Sequence, residues 1–191
     1  MKKIIYLLWL LSFIFLTWCQ SPQKWTNVLQ ENSLLEIQQV KSGLQTYQSK
    51  VGWFSVQYPS KWTFQENAYG SIVMFFAPTS EWDKIKENLS VIKEDTKKII
   101  TSEQYYQSSK ELLVKSLTDF SEISNQNIKI DWIDAKKIIY KRTLWDTKLQ
   151  VEQVLLIKDK AAYIFTYTAT PETFDDYIKN IDQIINSFSI D

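Results

Sequence analysis

The stretch AAYIFTYTATPETFDDYIKNIDQIINSF, residues 161–188, decides the fold class. Its first part, Ala161–Ala169, is apolar and rich in β-formers, which predicts a buried strand. From Phe174 to Phe188 the apolar residues recur at spacings of three and four, which predicts a helix with one continuous apolar face. Thr170 and Pro171 are a candidate N-cap and first helical position. This pattern predicts a helix that packs on a sheet.

The segments before residue 161 add more strands and one further helix. The apolar run Ser71–Ala77 predicts a central strand, because it is apolar on both faces. Thr101 and Gln104 form a capping-box pair at the start of a predicted helix over residues 101–117. Other strands are predicted at 54–59, 88–95, 123–131, 135–144 and 148–158. Strands that mostly follow one another predict an α+β fold, a largely antiparallel sheet flanked by helices.

The N-terminus has the pattern of a signal peptide. Two lysines precede the apolar run Ile4–Leu16, whose 13 residues span about 20 Å as a helix, short of a bilayer core of roughly 30 Å. The run ends in Leu16-Thr17-Trp18-Cys19, which resembles a bacterial lipobox, in which the cysteine becomes the lipidated first mature residue. Trp18 departs from that motif, whose position before the cysteine is normally small. An uncleaved membrane anchor and a buried free thiol are the alternatives.

These features divide the chain into three parts. Residues 1–18 are predicted to be the signal peptide. Residues 19–45 are the lipidated cysteine and a polar spacer, and residues 46–191 are one globular domain, long enough to bury a substantial core. A lipid on Cys19 would anchor the domain to a membrane on the side facing away from the cytoplasm.

Composition excludes several classes of chemistry. The 191 residues contain no histidine and one cysteine, which removes Ser-His-Asp triads, Cys–His dyads and ordinary zinc sites. Lys and Arg number 22, as do Asp and Glu, so the chain lacks the basic excess of a nucleic-acid-binding protein. Carboxylate pairs at Asp131 and Asp134 and at Glu94 and Asp95 fit turns and strand ends better than a calcium site. We therefore predict no catalytic residue, no metal site and no cofactor.

The segment Trp53–Trp62, WFSVQYPSKW, resembles the opening of PsbP-like domains, where an aromatic strand leads into Tyr-Pro and then a tryptophan. Further matching pieces follow in the family's order: Asn88–Val91, the helix from Thr101, Ile133–Ala135, Tyr163–Tyr167 and a C-terminal helix ending at Phe188. The resemblance covers residues 46–190. It implies an antiparallel sheet sandwiched between helices, in a family made up mostly of non-enzymatic binders that includes bacterial lipoproteins.

Glycine and tryptophan have unusual frequencies. Glycine occurs 3 times in 191 residues, against a usual share of roughly 7%, while tryptophan occurs 8 times. Several tryptophans stand where a glycine is expected, and some bacterial lineages read the UGA codon as glycine. We hypothesise that glycine is the true residue at Trp18, Trp82, Trp132 and Trp145. Trp25 and Trp53 stay open and Trp62 is expected to be genuine; a tryptophan-rich binding surface is the alternative.

The sequence thus favours a lipid-anchored extracytoplasmic protein whose single domain binds an envelope protein or a small apolar ligand without covalent chemistry. Two alternatives stay open. One is an envelope hydrolase that uses serine, lysine and carboxylates, and the other is a passive structural lipoprotein. A deep pocket with convergent polar groups would favour the enzyme.

Overall fold

The computed structural model describes residues 43–79, 81 and 83–190. Within them the chain forms ten strands and two helices. The strands are β1 (Leu44–Ser49), β2 (Phe54–Pro59), β3 (Thr63–Glu66), β4 (Val73–Phe76), β5 (Asn88–Asp95), β6 (Thr118–Ile130), β7 (Ile133–Leu144), β8 (Thr147–Lys158), β9 (Ala161–Ala169) and β10 (Ser189–Ile190). The helices are α1 (Ser102–Ser116), between β5 and β6, and α2 (Phe174–Asn186), between β9 and β10.

Two antiparallel sheets form the scaffold. The larger has seven strands in the order β3-β4-β5-β9-β8-β7-β6, and the smaller has three in the order β1-β2-β10. The strands β6, β7, β8 and β9 are consecutive hairpins, so each pairs with its neighbour in sequence. The strand β5 enters next to β9 rather than next to β6, because α1 carries the chain across the sheet between them.

The large sheet carries a helix on each face. One face holds the main core, in which Phe54 of β2, Phe165 of β9, Ile184 of α2 and Phe188 pack together. The opposite face holds a smaller core beneath α1, built from Tyr106 of α1 and from side chains of β7, β8 and β9. On β9 the alternation is direct, since Tyr163, Phe165 and Tyr167 face α2 while Ala162 and Ile164 face α1.

Most predicted elements are confirmed, including the α+β class with a largely antiparallel sheet flanked by helices. The strands β5 and β9 and the helix α1 with its Thr101 cap lie where the sequence placed them. The predicted start of the last helix at Thr170 and Pro171 is wrong. Thr170 and Pro171 belong to a preceding turn, and the N-cap of α2 is Thr173, whose side chain makes no capping hydrogen bond. The run 71–77 contains β4, a buried strand that is paired on both sides, with β3 and with β5, as predicted for a strand inside the sheet.

The predicted signal peptide, Trp18, Cys19, Trp25 and nearly all of the predicted spacer lie outside the described residues, as does Trp82. The described helices include none with the length and apolar character needed to cross a bilayer.

Candidate functional site

A pocket opens between α1 and the face of the large sheet that α1 only partly covers. Its volume is about 180 Å³. The helix contributes Tyr105, Leu112 and Leu113, and Leu117 follows at its end. The floor comes from alternate residues of five neighbouring strands, since β4, β5, β9, β8 and β7 all present side chains to it.

A capping box begins α1, and side chains from its first half and middle attach it to β6. At the N-terminus, Gln104 N–H donates to Thr101 Oγ1 at 3.1 Å and Thr101 N–H donates to Gln104 Oε1 at 2.9 Å. Further along, Tyr106 is 2% exposed and donates through its hydroxyl to Glu122 of β6 at 2.6 Å. Lys110 also pairs with Glu122, at 2.9 Å. The helix and the sheet therefore form the two sides of the pocket before any ligand binds.

The walls of the pocket are mostly apolar. Leu113 and Leu117 lie opposite Val151, Leu155 and Ile164. Apolar cavities of this size bind small hydrophobic molecules, because water gains few hydrogen bonds inside them. The shape thus suits an apolar group the size of one ring or a short chain.

The polar groups on the floor form a small set, and most are already hydrogen-bonded. Gln153 Nε2 of β8 donates to Thr166 Oγ1 of β9 at 3.1 Å. At the end of the pocket near the start of α1, Tyr105 donates to Glu94 Oε2 at 2.8 Å. These groups are satisfied within the protein and need no ligand.

Arg142 on β7 is different. It lines the pocket, is 8% exposed, and its Nε is sealed from solvent without a hydrogen-bond partner. No carboxylate among the described residues forms an ion pair with it. Burial lowers the pKa of Arg142, and the neighbouring Tyr140 opposes that change. A buried cation without a counter-charge is costly.

The titratable groups of the pocket are poorly suited to proton transfer at neutral pH. Burial raises the pKa of Tyr140 to about 12. Burial, together with the charge of Glu94, also raises the pKa of Tyr105. Several serines line the pocket, but none of its lining residues is a lysine. Across the part of the chain that the structure describes, no cluster of acidic or sulfur side chains has the makings of a metal site.

A second ionic cluster lies on the opposite face and ties α2 to the sheet. Lys137 Nζ lies 2.8 Å from Glu152 Oε2 and 2.8 Å from Asp182 Oδ1 of α2. The contact with Asp182 has hydrogen-bond geometry, whereas that with the fully buried Glu152 is an ion pair alone. Burial raises the pKa of Glu152 despite the lysine. Glu152 is fully buried and Asp182 is about half exposed, so the cluster runs from the core to the surface and joins α2 to the sheet.

The comparison with protein families decides the relationship of the chain. The model described as "PsbP-like protein" matches residues 16–190. The chain belongs to the PsbP-like family. This confirms the resemblance carried by Trp53–Trp62 and by the order of the later segments. None of the curated proteins matches the chain significantly.

Solved structures share the PsbP-like fold at low sequence identity. Cyanobacterial PsbP (CyanoP) from Synechocystis sp. has a TM-score of 0.58 and 18% identity, covering 78% of this chain and 93% of its own. LpqN of Mycobacterium tuberculosis, described as involved in cell envelope biogenesis, has a TM-score of 0.57 and 14% identity, covering 77% and 91%. The Ran-binding protein Mog1p of Saccharomyces cerevisiae has a TM-score of 0.55 and 7% identity, covering 77% and 95%.

The carboxylates singled out in the sequence do not converge on this PsbP-like domain's pocket. Asp131 occupies an exposed hairpin loop, and Asp134 pairs with Lys129 at 2.7 Å with most of its side chain in solvent. Of the other pair, Glu94 lines the pocket while Asp95 is exposed at the strand end. Sequence reasoning missed Arg142, although a signal existed. It follows Ile138 and Tyr140 at alternate positions of β7 and so lies on their apolar face.

Proposed function

We propose that this PsbP-like protein is a non-enzymatic binding module and that the pocket between α1 and the sheet holds a small, largely apolar ligand. The single observation that carries the proposal is that pre-formed pocket of about 180 Å³, walled by leucines and isoleucines. A pocket that already exists costs no folding energy when a ligand enters, which favours binding.

The chemistry of the pocket supports binding over catalysis. An envelope hydrolase built on serine would need a lysine or another base beside it. The serines of the pocket have no lysine among the other lining residues, and the carboxylate of Glu94 accepts a hydrogen bond from Tyr105. The raised pKa values of Tyr105 and Tyr140 keep both hydroxyls protonated at pH 7.

The proposal includes the location of the protein. We place the domain outside the cytoplasm, held at the membrane by a lipid on Cys19, with residues 19–45 as spacer. The basic start, the short apolar run and the lipobox-like ending support this. LpqN, which shares the fold and is described as involved in cell envelope biogenesis, is in keeping with such a location. A lipid anchor raises the effective concentration of the domain near membrane components.

The anchor is tested by growing cells with an alkyne analogue of palmitate and comparing the full chain with Cys19→Ser. We expect label and membrane fractionation for the unmodified chain, with loss of both in the variant. Label that persists in Cys19→Ser would contradict the anchor. Because the variant leaves the pocket intact, the result is independent of ligand binding.

A further inference from the structure

The pocket has an electrostatic polarity that its apolar walls do not explain. In the sheet register, Arg142 of β7 lies opposite Leu149, near the start of β8, and Glu94 of β5 lies opposite Ala162, near the start of β9. Because β8 and β9 are antiparallel, the two charged side chains stand at opposite ends of the pocket. Glu94 is hydrogen-bonded to Tyr105, whereas Arg142 lacks a counter-charge among the described residues. The carboxylate at one end of the pocket therefore has a hydrogen-bond donor within the protein, whereas the Nε–H of Arg142 at the other end has no acceptor.

We propose that the pocket binds an amphiphile with one anionic head group, its head on Arg142 and its apolar part beneath α1. This rests on the proposed binding function and names its ligand class. Arg142 is 8% exposed as a whole residue, and its Nε–H is sealed from solvent without an acceptor. A carboxylate or phosphate oxygen would supply that acceptor and the missing charge together.

The surroundings of Arg142 fit a head group followed by an apolar chain. Tyr140, two residues earlier on the same face of β7, is 3% exposed and lies next to the guanidinium. Beyond it come Val151, Leu155 and Ile164, with Leu113 above them. A ligand that places an anion on Arg142 thus continues into an apolar channel. A desolvated site of this kind strengthens a charge-assisted hydrogen bond.

Calorimetry with octanoate tests this, using the full chain in lipid nanodiscs and empty nanodiscs as the blank. Octanol and octylamine have the same chain length without the negative charge. We expect saturable octanoate binding, with octanol at least about 10-fold weaker and octylamine weaker still. Equal binding of octanoate and octanol would overturn the head-group assignment while keeping the pocket as an apolar site. No binding of either compound would overturn the proposed function as well.

Two variants locate the anion. Arg142→Gln removes the buried cation, and Lys141→Gln removes an exposed cation from the adjacent position on the other face. We expect Arg142→Gln to lower octanoate affinity to the octanol level and Lys141→Gln to leave it unchanged. Unchanged octanoate binding by a folded Arg142→Gln protein would contradict the proposal. If that variant does not fold, the comparison of octanoate with octanol on the unmodified chain still decides.

A second, independent observation concerns the tryptophans. Four tryptophans fall within the described residues, and three of them have positive φ angles: Trp53 at 57°, Trp132 at 64° and Trp145 at 51°. The same three are 62%, 89% and 64% exposed. A bulky residue is an outlier in this left-handed region, which glycine occupies without steric cost.

The turns themselves specify glycine at these positions. Asp131 and Trp132 form the two-residue loop between Ile130 and Ile133, and both have positive φ, the arrangement that favours Asp-Gly. In the loop between Leu144 and Thr147, φ is positive at Trp145 and not at Asp146, which favours glycine in the first position.

The fourth tryptophan behaves as a genuine one. Trp62 is 5% exposed and meets the ring of Tyr177 of α2 edge-on, with the ring centroids 5.7 Å apart. Its φ is not positive. Tyr69 and Lys97 also have positive φ, so the left-handed region is not confined to the tryptophans in this chain.

We infer that the residue in the cell is glycine at 53, 132 and 145, from UGA codons read as glycine, and tryptophan at 62. The same reading at Trp18 gives Leu-Thr-Gly-Cys, a regular lipobox. It also removes the exposed tryptophans as a binding surface.

Peptide mass spectrometry of protein from its native cell tests this directly. Trypsin releases residues 51–61 with position 53, residues 130–136 with position 132, residues 143–148 with position 145, and residues 62–84 with positions 62 and 82. We expect glycine at 53, 132, 145 and 82, with tryptophan at 62 in the same peptide as 82. Tryptophan at 132 or 145 in native protein would overturn the inference.

Discussion

Gln153 of β8 and Thr166 of β9 are joined across the pocket floor by a side-chain hydrogen bond of 3.1 Å. Because these two groups satisfy each other, the centre of the floor offers little to a polar ligand. The polar demand of the pocket is concentrated on Arg142 at one end. A single unpartnered polar group suits a ligand with one polar head group, and not a ligand that needs many polar contacts.

Filling the pocket should abolish binding without unfolding the protein. Ser109 lies on α1 and lines the pocket, so Ser109→Phe places a ring in the space meant for the ligand. We expect loss of octanoate binding by calorimetry and an unchanged far-ultraviolet circular dichroism spectrum. Ser116→Phe, exposed at the end of the same helix, is the matched control. Full binding by Ser109→Phe would place the ligand elsewhere.

Glycine substitution should stabilise the chain as translated with tryptophan. Trp145→Gly relieves a left-handed residue, which costs roughly 1–2 kcal/mol for a residue with a Cβ. Trp145→Ala keeps the Cβ and should gain little in urea unfolding. The buried Trp62→Ala should instead lose about 3–5 kcal/mol. A Trp145→Gly protein no more stable than Trp145→Ala would show that φ at this position carries no strain.

The capping box should contribute measurably to the wall of the pocket. Thr101→Ala removes the acceptor for Gln104 N–H and should cost about 1 kcal/mol in urea unfolding. Thr101→Ser retains the hydroxyl and should stay close to the unmodified chain. Equal losses in the two variants would mean that the methyl group, and not the hydroxyl, matters at this position.

Removing Lys137 alone should lower the free energy of unfolding more than removing both Lys137 and Glu152. Lys137→Met leaves the carboxylate of Glu152 buried without its cation, which should cost about 3–5 kcal/mol. Adding Glu152→Leu removes that orphaned charge, so the double variant should recover much of the loss. A double variant that is less stable than Lys137→Met would contradict this account of the cluster.

The stability contributed by Glu122 should depend on pH. Burial alone would raise the pKa of Glu122, but hydrogen bonds from Tyr106, Lys110 and Asn125 outweigh it and lower the pKa. A lowered carboxylate pKa contributes stability above the ordinary value of 4.5, and that stability is lost as the pH falls through the lowered value.

Glu122→Gln should therefore be less stable than the unmodified chain at pH 7, with the difference shrinking on acidification. Thermal unfolding across this pH range measures it. Glu111→Gln, at an exposed glutamate of α1, is the control for removing a surface carboxylate. A constant gap for Glu122→Gln would contradict the assignment.

Helices and strands in which apolar residues recur with the helical or strand periodicity could be predicted from the sequence. The strand β9 and the helix α1 carry clear apolar patterns and, for α1, a capping pair. The strand β3 was missed because all four of its residues are exposed, so its pairing with β4 leaves no apolar signal. The start of α2 was misplaced because Thr170 and Pro171 match a helix start, yet tertiary packing begins the helix at Phe174.

The pocket itself could not be read from the sequence. It exists because α1 covers only part of a face that five strands share, and that offset depends on contacts such as Tyr106 to Glu122, which are 16 residues apart. The burial of Arg142 could have been predicted from the alternation of inward-facing and outward-facing side chains along β7. Its lack of a partner depends on every neighbouring strand and is known only from the fold.

The most direct test of the binding account is the nitrogen resonance of Arg142 Nε in the full chain during a titration with octanoate. We predict a saturable shift of this resonance that octanol does not reproduce, because the head group supplies the missing acceptor. An Arg142 resonance that stays fixed while octanoate binds and saturates would contradict the account.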